Sequence, residues 1–210
     1  MSGHATEWVI RPAGARGLLV EAADGSAVRW LTAWLRTSEF ADVLEDVVPG
    51  GRTVLVRAQQ RLDELARALR ELPAPDHRNS EPSRTVEVPV TYSGEDLDEV
   101  CERAGVSRST FVGEHSSAHH TVAFFGFTPG FPYIAGVPDA LQVPRRATPR
   151  TRVAAGAVAV ANGFTVVYPG GTPGGWSVIG YTSLPPLWDL TRDPPNLVSV
   201  GDRVIFRDVS

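Results

Sequence analysis

Residues 73–82 read Pro-Ala-Pro-Asp-His-Arg-Asn-Ser-Glu-Pro. Proline fixes φ and removes a hydrogen-bond donor, and no apolar residue recurs here at a helical or strand period. A stretch of this kind has no face to bury, so it reads as a link between two separately packed parts. The expected division is a domain over residues 1–75, a linker over 76–84 and a second domain over 85–210.

The two sides are patterned differently. Upstream, Trp8 to Arg11 and Gly17 to Ala22 suit short strands, with Gly14 and Gly17 marking the turn between them. Asp24-Gly25 marks a second turn, Ser26 is a candidate helix cap, and Val28, Leu31, Thr32 and Leu35 predict a helix over about residues 27–36. Phe40 to Val48 and Thr53 to Arg57 read as strands around Pro49-Gly50-Gly51. Leu62, Leu65, Ala66, Leu69 and Leu72 then share one side of a helix from Gln60 to Leu72. The order β-β-α-β-β-α predicts a small α+β sandwich, with helices on one face of a mostly antiparallel sheet.

Downstream, Thr85 to Val90 suits a strand, and Leu97, Val100, Cys101 and Ala104 suit a helix stopped by Gly105. Ser107 is placed to cap a second short helix ending near His115. From Val122 on, helical spacing disappears. Val122 to Phe125, Ala157 to Ala161, Thr165 to Tyr168, Val178 to Tyr181 and Arg203 to Phe206 are short β-rich runs separated by Gly and Pro, with Gly201-Asp202 read as a hairpin turn. Many short strands with such turns predict a closed barrel or sandwich.

Composition narrows the chemistry. The chain of 210 residues is 42% hydrophobic and 21% charged, an ordinary globular balance. All 20 of its basic residues are arginine. Without lysine there is no phosphate-loop lysine, no Schiff-base amine and no lysine general base. A net charge of −4 argues against broad nucleic-acid binding. No apolar run is long enough to span a bilayer, and MSGHATEWVI lacks the basic start and apolar core of a signal peptide. A lone Cys101 permits no internal disulfide, so a cytoplasmic location is expected.

Three segments gather unusual residues: Phe124 to Pro138 (FFGFTPGFPYIAGVP), Pro144 to Arg152 (PRRATPRTR) and Tyr168 to Trp176 (YPGGTPGGW). Rigid loops that present aromatic faces and arginine forks suit the grip of a flat polar ligand or of another protein. The alternative is that Phe127, Phe131, Tyr133 and Trp176 plug one end of a barrel. Pro129 and Pro132 fix the chain direction, and Gly130 is the residue expected to need a positive φ. The rings would then form one wall of a pocket, with Arg145, Arg150 and His115 opposite. Pro144 and Pro149 fix the backbone just before Arg145 and Arg150, whose forks suit a carboxylate or phosphate. His115 and His119 would share a helical face if the helix continued that far, but no cysteine or carboxylate completes a zinc pattern, and no metal is expected. Gly175-Trp-Ser177-Val-Ile-Gly180 is too long for a nucleophile elbow, so Ser177 receives no role.

The motifs Gly126 to Tyr133, Pro144 to Arg150, Ala155-Gly156, Tyr168 to Trp176, Ile179-Gly180 and Thr182 resemble the allophanate hydrolase subunit 1 family. That family includes the B subunits of 5-oxoprolinases and the KipI-type histidine-kinase inhibitors. The resemblance implies a small N-terminal α+β domain and a C-terminal cyclophilin-like β-barrel. It implies a component of an ATP-dependent 5-oxoprolinase, which opens the lactam of 5-oxoproline to glutamate. The partners it implies are a related cyclophilin-like barrel subunit and a lactam-utilisation subunit, with ATP bound mainly on a partner. The same resemblance leaves two other readings: a KipI-type module that inhibits a histidine kinase, and a subunit of allophanate-type amide hydrolysis. His115 matches the family's histidine and suits hydrogen bonding or proton transfer, or else closure of the helix end. With it, Arg145 and Arg150 are the candidate catalytic residues. The candidate substrate- or partner-binding residues are Phe127, Pro129, Phe131, Tyr133, Tyr168, Thr172, Gly174, Gly175 and Trp176. The chain departs from the family pattern at Ala157, where a serine is usual, and at Phe164, where a glutamine is common. It also departs at His120, where an aromatic is usual, and at Tyr181, where an arginine is expected.

The linker reading carries a direct test. Limited proteolysis should cut first within residues 73–82, leaving two resistant fragments identified by mass spectrometry; first cleavage within 122–182 would contradict it.

Overall fold

The computed structural model describes residues 8–73 and 84–210, so the stretch expected to be a linker lies almost wholly outside the described residues. Contacts group the chain into two compact units, divided between residues 81 and 82.

In the first unit β1 (Val9–Pro12), β2 (Gly17–Glu21), β4 (Thr53–Ala58) and β3 (Leu44–Pro49) form an antiparallel sheet in the order β1-β2-β4-β3. Strand β4 alternates strictly, burying Val54, Val56 and Ala58. Those side chains share one core with the apolar stripes of α1 (Gly25–Thr37) and α2 (Leu62–Glu71). Leu31 and Leu35 are fully buried there, each worth about 1.5–3 kcal/mol relative to exposure. Helix α1 starts at Gly25, ahead of the point that its apolar spacing predicts. Asp24, not Ser26, is the cap: its carboxylate accepts from the backbone N–H groups of Ser26 and Ala27, each at 2.9 Å. The strand expected over Phe40 to Val48 begins only at Leu44, because residues 41–43 form a 3₁₀ turn beside the buried Phe40.

The second unit is a closed seven-stranded barrel. Its strands are β5 (Thr85–Thr91), β6 (His120–Phe125), β7 (Pro132–Ala135), β9 (Ala157–Ala161), β10 (Phe164–Val167), β12 (Ser177–Thr182) and β13 (Arg203–Asp208), in the order β10-β7-β6-β13-β5-β12-β9. Neighbours are antiparallel except β13 and β5. Closure removes the exposed strand edges. β8 (Arg150–Val153) and β11 (Thr172–Gly174) form a separate two-stranded ribbon. The α+β fold with a barrel is as expected, but β7, β8 and β11 were not legible as strands. Pro132 opens β7, and proline is tolerated at a strand's first residue. The Gly201 turn leads from a long loop into β13 and joins no two paired strands, because β13 pairs with β5 and β6.

The barrel wall is buried on both faces along β9. Val158 and Val160 point into the interior with Val88, Val90, Val122, Ile134 and Phe206. Ala157, Ala159 and Ala161 point outward into a second cluster with Phe131, Tyr168 and Trp176. Small alanines on the outer side let large rings lie close to the strand.

Helices α3 (Leu97–Ala104) and α4 (Arg108–Ser117) pack Leu97, Val100, Cys101 and Phe111 against the interior cluster. Ser107 caps α4 by accepting from the Thr110 N–H at 3.1 Å. His115, in the last turn of α4, is fully buried. Its Nδ1 lies 2.8 Å from the Tyr92 hydroxyl and its Nε2 2.9 Å from Thr165 Oγ1. His120 Nε2 donates to the His115 carbonyl at 2.7 Å, so the helix end is closed by His120 and not by His115. Burial, reinforced by each histidine's neighbouring histidine, holds both imidazoles below their ordinary pKa.

An unfolded chain takes up these protons near pH 6.5, whereas the folded chain resists them. The stability this pair contributes is therefore fully present above about pH 6.5 and is lost as pH falls below it. The melting temperature should drop between pH 7.5 and 5.5, and His115→Gln should flatten that drop while lowering stability at pH 7.5. A variant with the wild-type pH slope would show that these histidines do not govern it.

Candidate functional site

The stretch that gathers aromatic rings is a β-hairpin. Phe125 pairs with Pro132 across β6 and β7, and residues 126–131 form the tip. Phe131 N–H donates to Thr128 O at 3.1 Å, and Gly130 sits at φ 72°. Proline followed by a positive-φ glycine inside that bond is the signature of a type II turn, which assigns Pro129 a structural role in the turn. Gly130 is constrained twice, since a β-carbon there would also collide with the side chain of Trp188. Before it, Thr128 N–H donates to Gly126 O at 2.7 Å, closing a three-residue turn around Phe127 at φ 65°. A positive φ is costly for a ring-bearing residue, and Phe127 is also 64% exposed.

The rings pack edge to face. Phe131 meets Tyr168 at 5.1 Å and Phe127 at 5.4 Å between centroids, and Tyr133 meets Trp176 at 5.6 Å. Tyr168 supports the glycine-rich loop from below, its hydroxyl lying against the backbone at Gly174. Burial pushes the Tyr168 phenol above its ordinary pKa, so it stays neutral. Gly174 lies directly on that hydroxyl, where any β-carbon would collide. The Arg145 guanidinium stands 5.5 Å from the Trp176 ring. Together Phe127, Phe131, Tyr133, Arg145, Tyr168, Gly174, Gly175 and Trp176 line a recess of about 110 Å³.

The remaining candidates lie elsewhere. Thr172 is in β11, paired with Val153. Arg150 does not face the recess with an open fork, because both terminal nitrogens donate to Asp96 at 2.7 Å. His115 is not on the opposite wall of the recess. Strand β10 stands between them, turning Thr165 to His115 and Val166 to the outer cluster with Tyr168. The barrel wall thus lies between His115 and the rings.

Asp96 was not singled out by its motif. It is 3% exposed, and it accepts from Arg150, from Arg146 and from the Val178 N–H of β12 at 2.7 Å. Burial raises the pKa of its carboxyl, but the Arg150 fork, the Val178 N–H and Arg146 outweigh this and hold it below the ordinary value. Arg146 also reaches Glu99 at 3.2 Å, and Glu95 accepts from the Tyr181 hydroxyl at 2.7 Å. The available signal was charge balance, since a cluster of arginines calls for counter-charges, and Glu95, Asp96 and Glu99 of the acidic run supply them to Arg146 and Arg150. The family departures also find places. Phe164 packs edge-on to Tyr133 at 6.0 Å, Ala157 lies in the outer cluster, Tyr181 binds Glu95 and His120 closes α4.

Residues 8–198 match the family model described as carboxyltransferase domain, subdomain C and D. The chain belongs to this family. Within it, the chain is 37% identical over 183 residues to the 5-oxoprolinase B subunit of Haemophilus influenzae, the match covering 85% of each. It is 48% identical over 127 residues to the 5-oxoprolinase B subunit of Escherichia coli O157:H7, covering 59% of this chain and 58% of that relative, little more than half its length. The crystal structure of TTHA0988 superposes with a TM-score of 0.77 at 34% identity, over 93% of this chain and 40% of that one. Among the described residues of this carboxyltransferase-type chain, no group of three or more His, Cys, Asp or Glu could hold a metal ion, and no helix is long and apolar enough to cross a membrane.

Removing the Asp96 charge leaves two arginines facing each other beside β12. Asp96→Ala should cost about 3 kcal/mol in urea unfolding, as expected when one partner of a buried pair is removed. A loss within about 0.5 kcal/mol, the scale of an ordinary surface change, would show that the cluster is no anchor.

Proposed function

We propose that this chain is the B-type component of an ATP-dependent 5-oxoprolinase that opens the lactam of 5-oxoproline to glutamate. The observation that carries the reading is the Haemophilus influenzae relative of that name, matched over 85% of both chains. The term subunit in the relatives' names supports a chain that works in a complex, with a related barrel subunit and a lactam-utilisation subunit as its partners.

This chain's own residues do not fit a nucleotide. It has no lysine, and the recess of about 110 Å³ is far below the roughly 300–1,000 Å³ of pockets that enclose drug-sized ligands. A wider depression of about 770 Å³ runs along α4, but there Arg108 already donates to the Tyr92 carbonyl, and Asp208 lines the same surface. The ATP step therefore falls to a partner. What this chain supplies is a preorganised aromatic wall with one guanidinium at its edge.

Co-purification of the tagged chain from its native host should recover both partner subunits, and the complex should release glutamate from 5-oxoproline only with ATP. Recovery of a histidine kinase in place of those partners, without glutamate release, would replace this reading with the regulatory one.

A further inference from the structure

We propose that the recess beside Trp176 binds a small, flat ring bearing a carboxylate, with the ring against the aromatic wall and the carboxylate on Arg145. The proposal rests on the reading of the chain as a 5-oxoprolinase component for the identity of that molecule, 5-oxoproline.

The first support is the division of the arginine cluster. Arg146 and Arg150 are neutralised by Asp96, with Glu99 and Glu95 adding to them. Arg145 is exposed, and no carboxylate among the described residues lies within ion-pair distance of it. Among the described residues its side chain stands over the face of Trp176, which orients the guanidinium, and no hydrogen bond from its N–H donors is seen there. Among the described residues no acidic side chain lines the recess to repel an anion.

Size is the second support. A recess of about 110 Å³ is on the scale of the roughly 150 Å³ apolar cavity that accepts benzene. A five-membered ring fits that scale, and a nucleotide base with its sugar does not. Third, the walls are set before any ligand arrives. The type II turn fixes Phe131, Gly174 rests directly on the Tyr168 hydroxyl, and the Arg146 N–H donates to Gly175 O at 2.7 Å. Loops already held in place avoid an ordering cost that grows with each side chain otherwise immobilised on binding. The strained, exposed Phe127 stands at the rim, where such strain marks a ligand contact better than a fold requirement.

The test is calorimetric titration of the full chain, alone and in its complex, with 5-oxoproline, cyclopentanecarboxylate and 2-pyrrolidone. The two carboxylates should bind at least about tenfold more tightly than 2-pyrrolidone, the scale of a charge-assisted hydrogen bond. Arg145→Gln should remove that advantage and leave 2-pyrrolidone unchanged, and Arg145→Lys should restore part of it. Phe127→Ala, at an exposed position that the fold does not need, should weaken all three. Equal binding of 2-pyrrolidone, unchanged carboxylate binding by Arg145→Gln, or no binding to either preparation overturns the proposal. The two readings fail separately. A wild-type complex that releases no glutamate removes the 5-oxoprolinase reading alone, whereas an active complex whose KM is unmoved by Arg145→Gln removes the pocket alone.

Discussion

One buried carboxylate sets the position of the surface loops. Asp96 sits against β12, accepting from the Val178 N–H while its own N–H donates to Val178 O at 3.0 Å. A charge at 3% exposure is tolerated only with full compensation, and two guanidinium groups provide it. Those arginines belong to the segment that also carries Arg145, and Arg146 passes the constraint on through its backbone bond to Gly175. The path runs from barrel strand to carboxylate, to arginine loop, to glycine-rich loop and so to Trp176. Each link is short and directional, so the recess inherits the rigidity of the barrel.

The second constraint is the two-faced wall. Along β9, valine and alanine alternate, and both faces are buried. The larger valines fill the barrel, and the alanines leave room for Phe131, Tyr168 and Trp176 outside it. The strand that closes the core therefore also floors the site. This separates two polar systems that share a sheet. The neutral histidines inside belong to the fold, and Arg145, which lacks a carboxylate within ion-pair distance among the described residues, belongs to the outer surface.

The sequence by itself determined a good deal. Helical spacing placed α1, α2 and α3, because each buries one stripe and exposes the other. The run Thr53 to Arg57 beside Pro49-Gly50-Gly51 placed β4, and the β-rich runs after Val122 announced a closed barrel or sandwich. The Pro129-Gly130 pair announced a tight turn with a positive φ, since few other residues make one at low cost. The concentration of rings and arginines in three loops located the candidate site, and the motifs within those loops named the family. What only the tertiary structure decided was pairing and side. Asp96 and Arg150 are 54 residues apart, and no local pattern tells which of four arginines a distant carboxylate will take. On a strand buried on both faces, a period of two cannot tell the inside of a barrel from the outside. His115 and Phe131 could therefore be set in one pocket on paper, although the barrel wall stands between them.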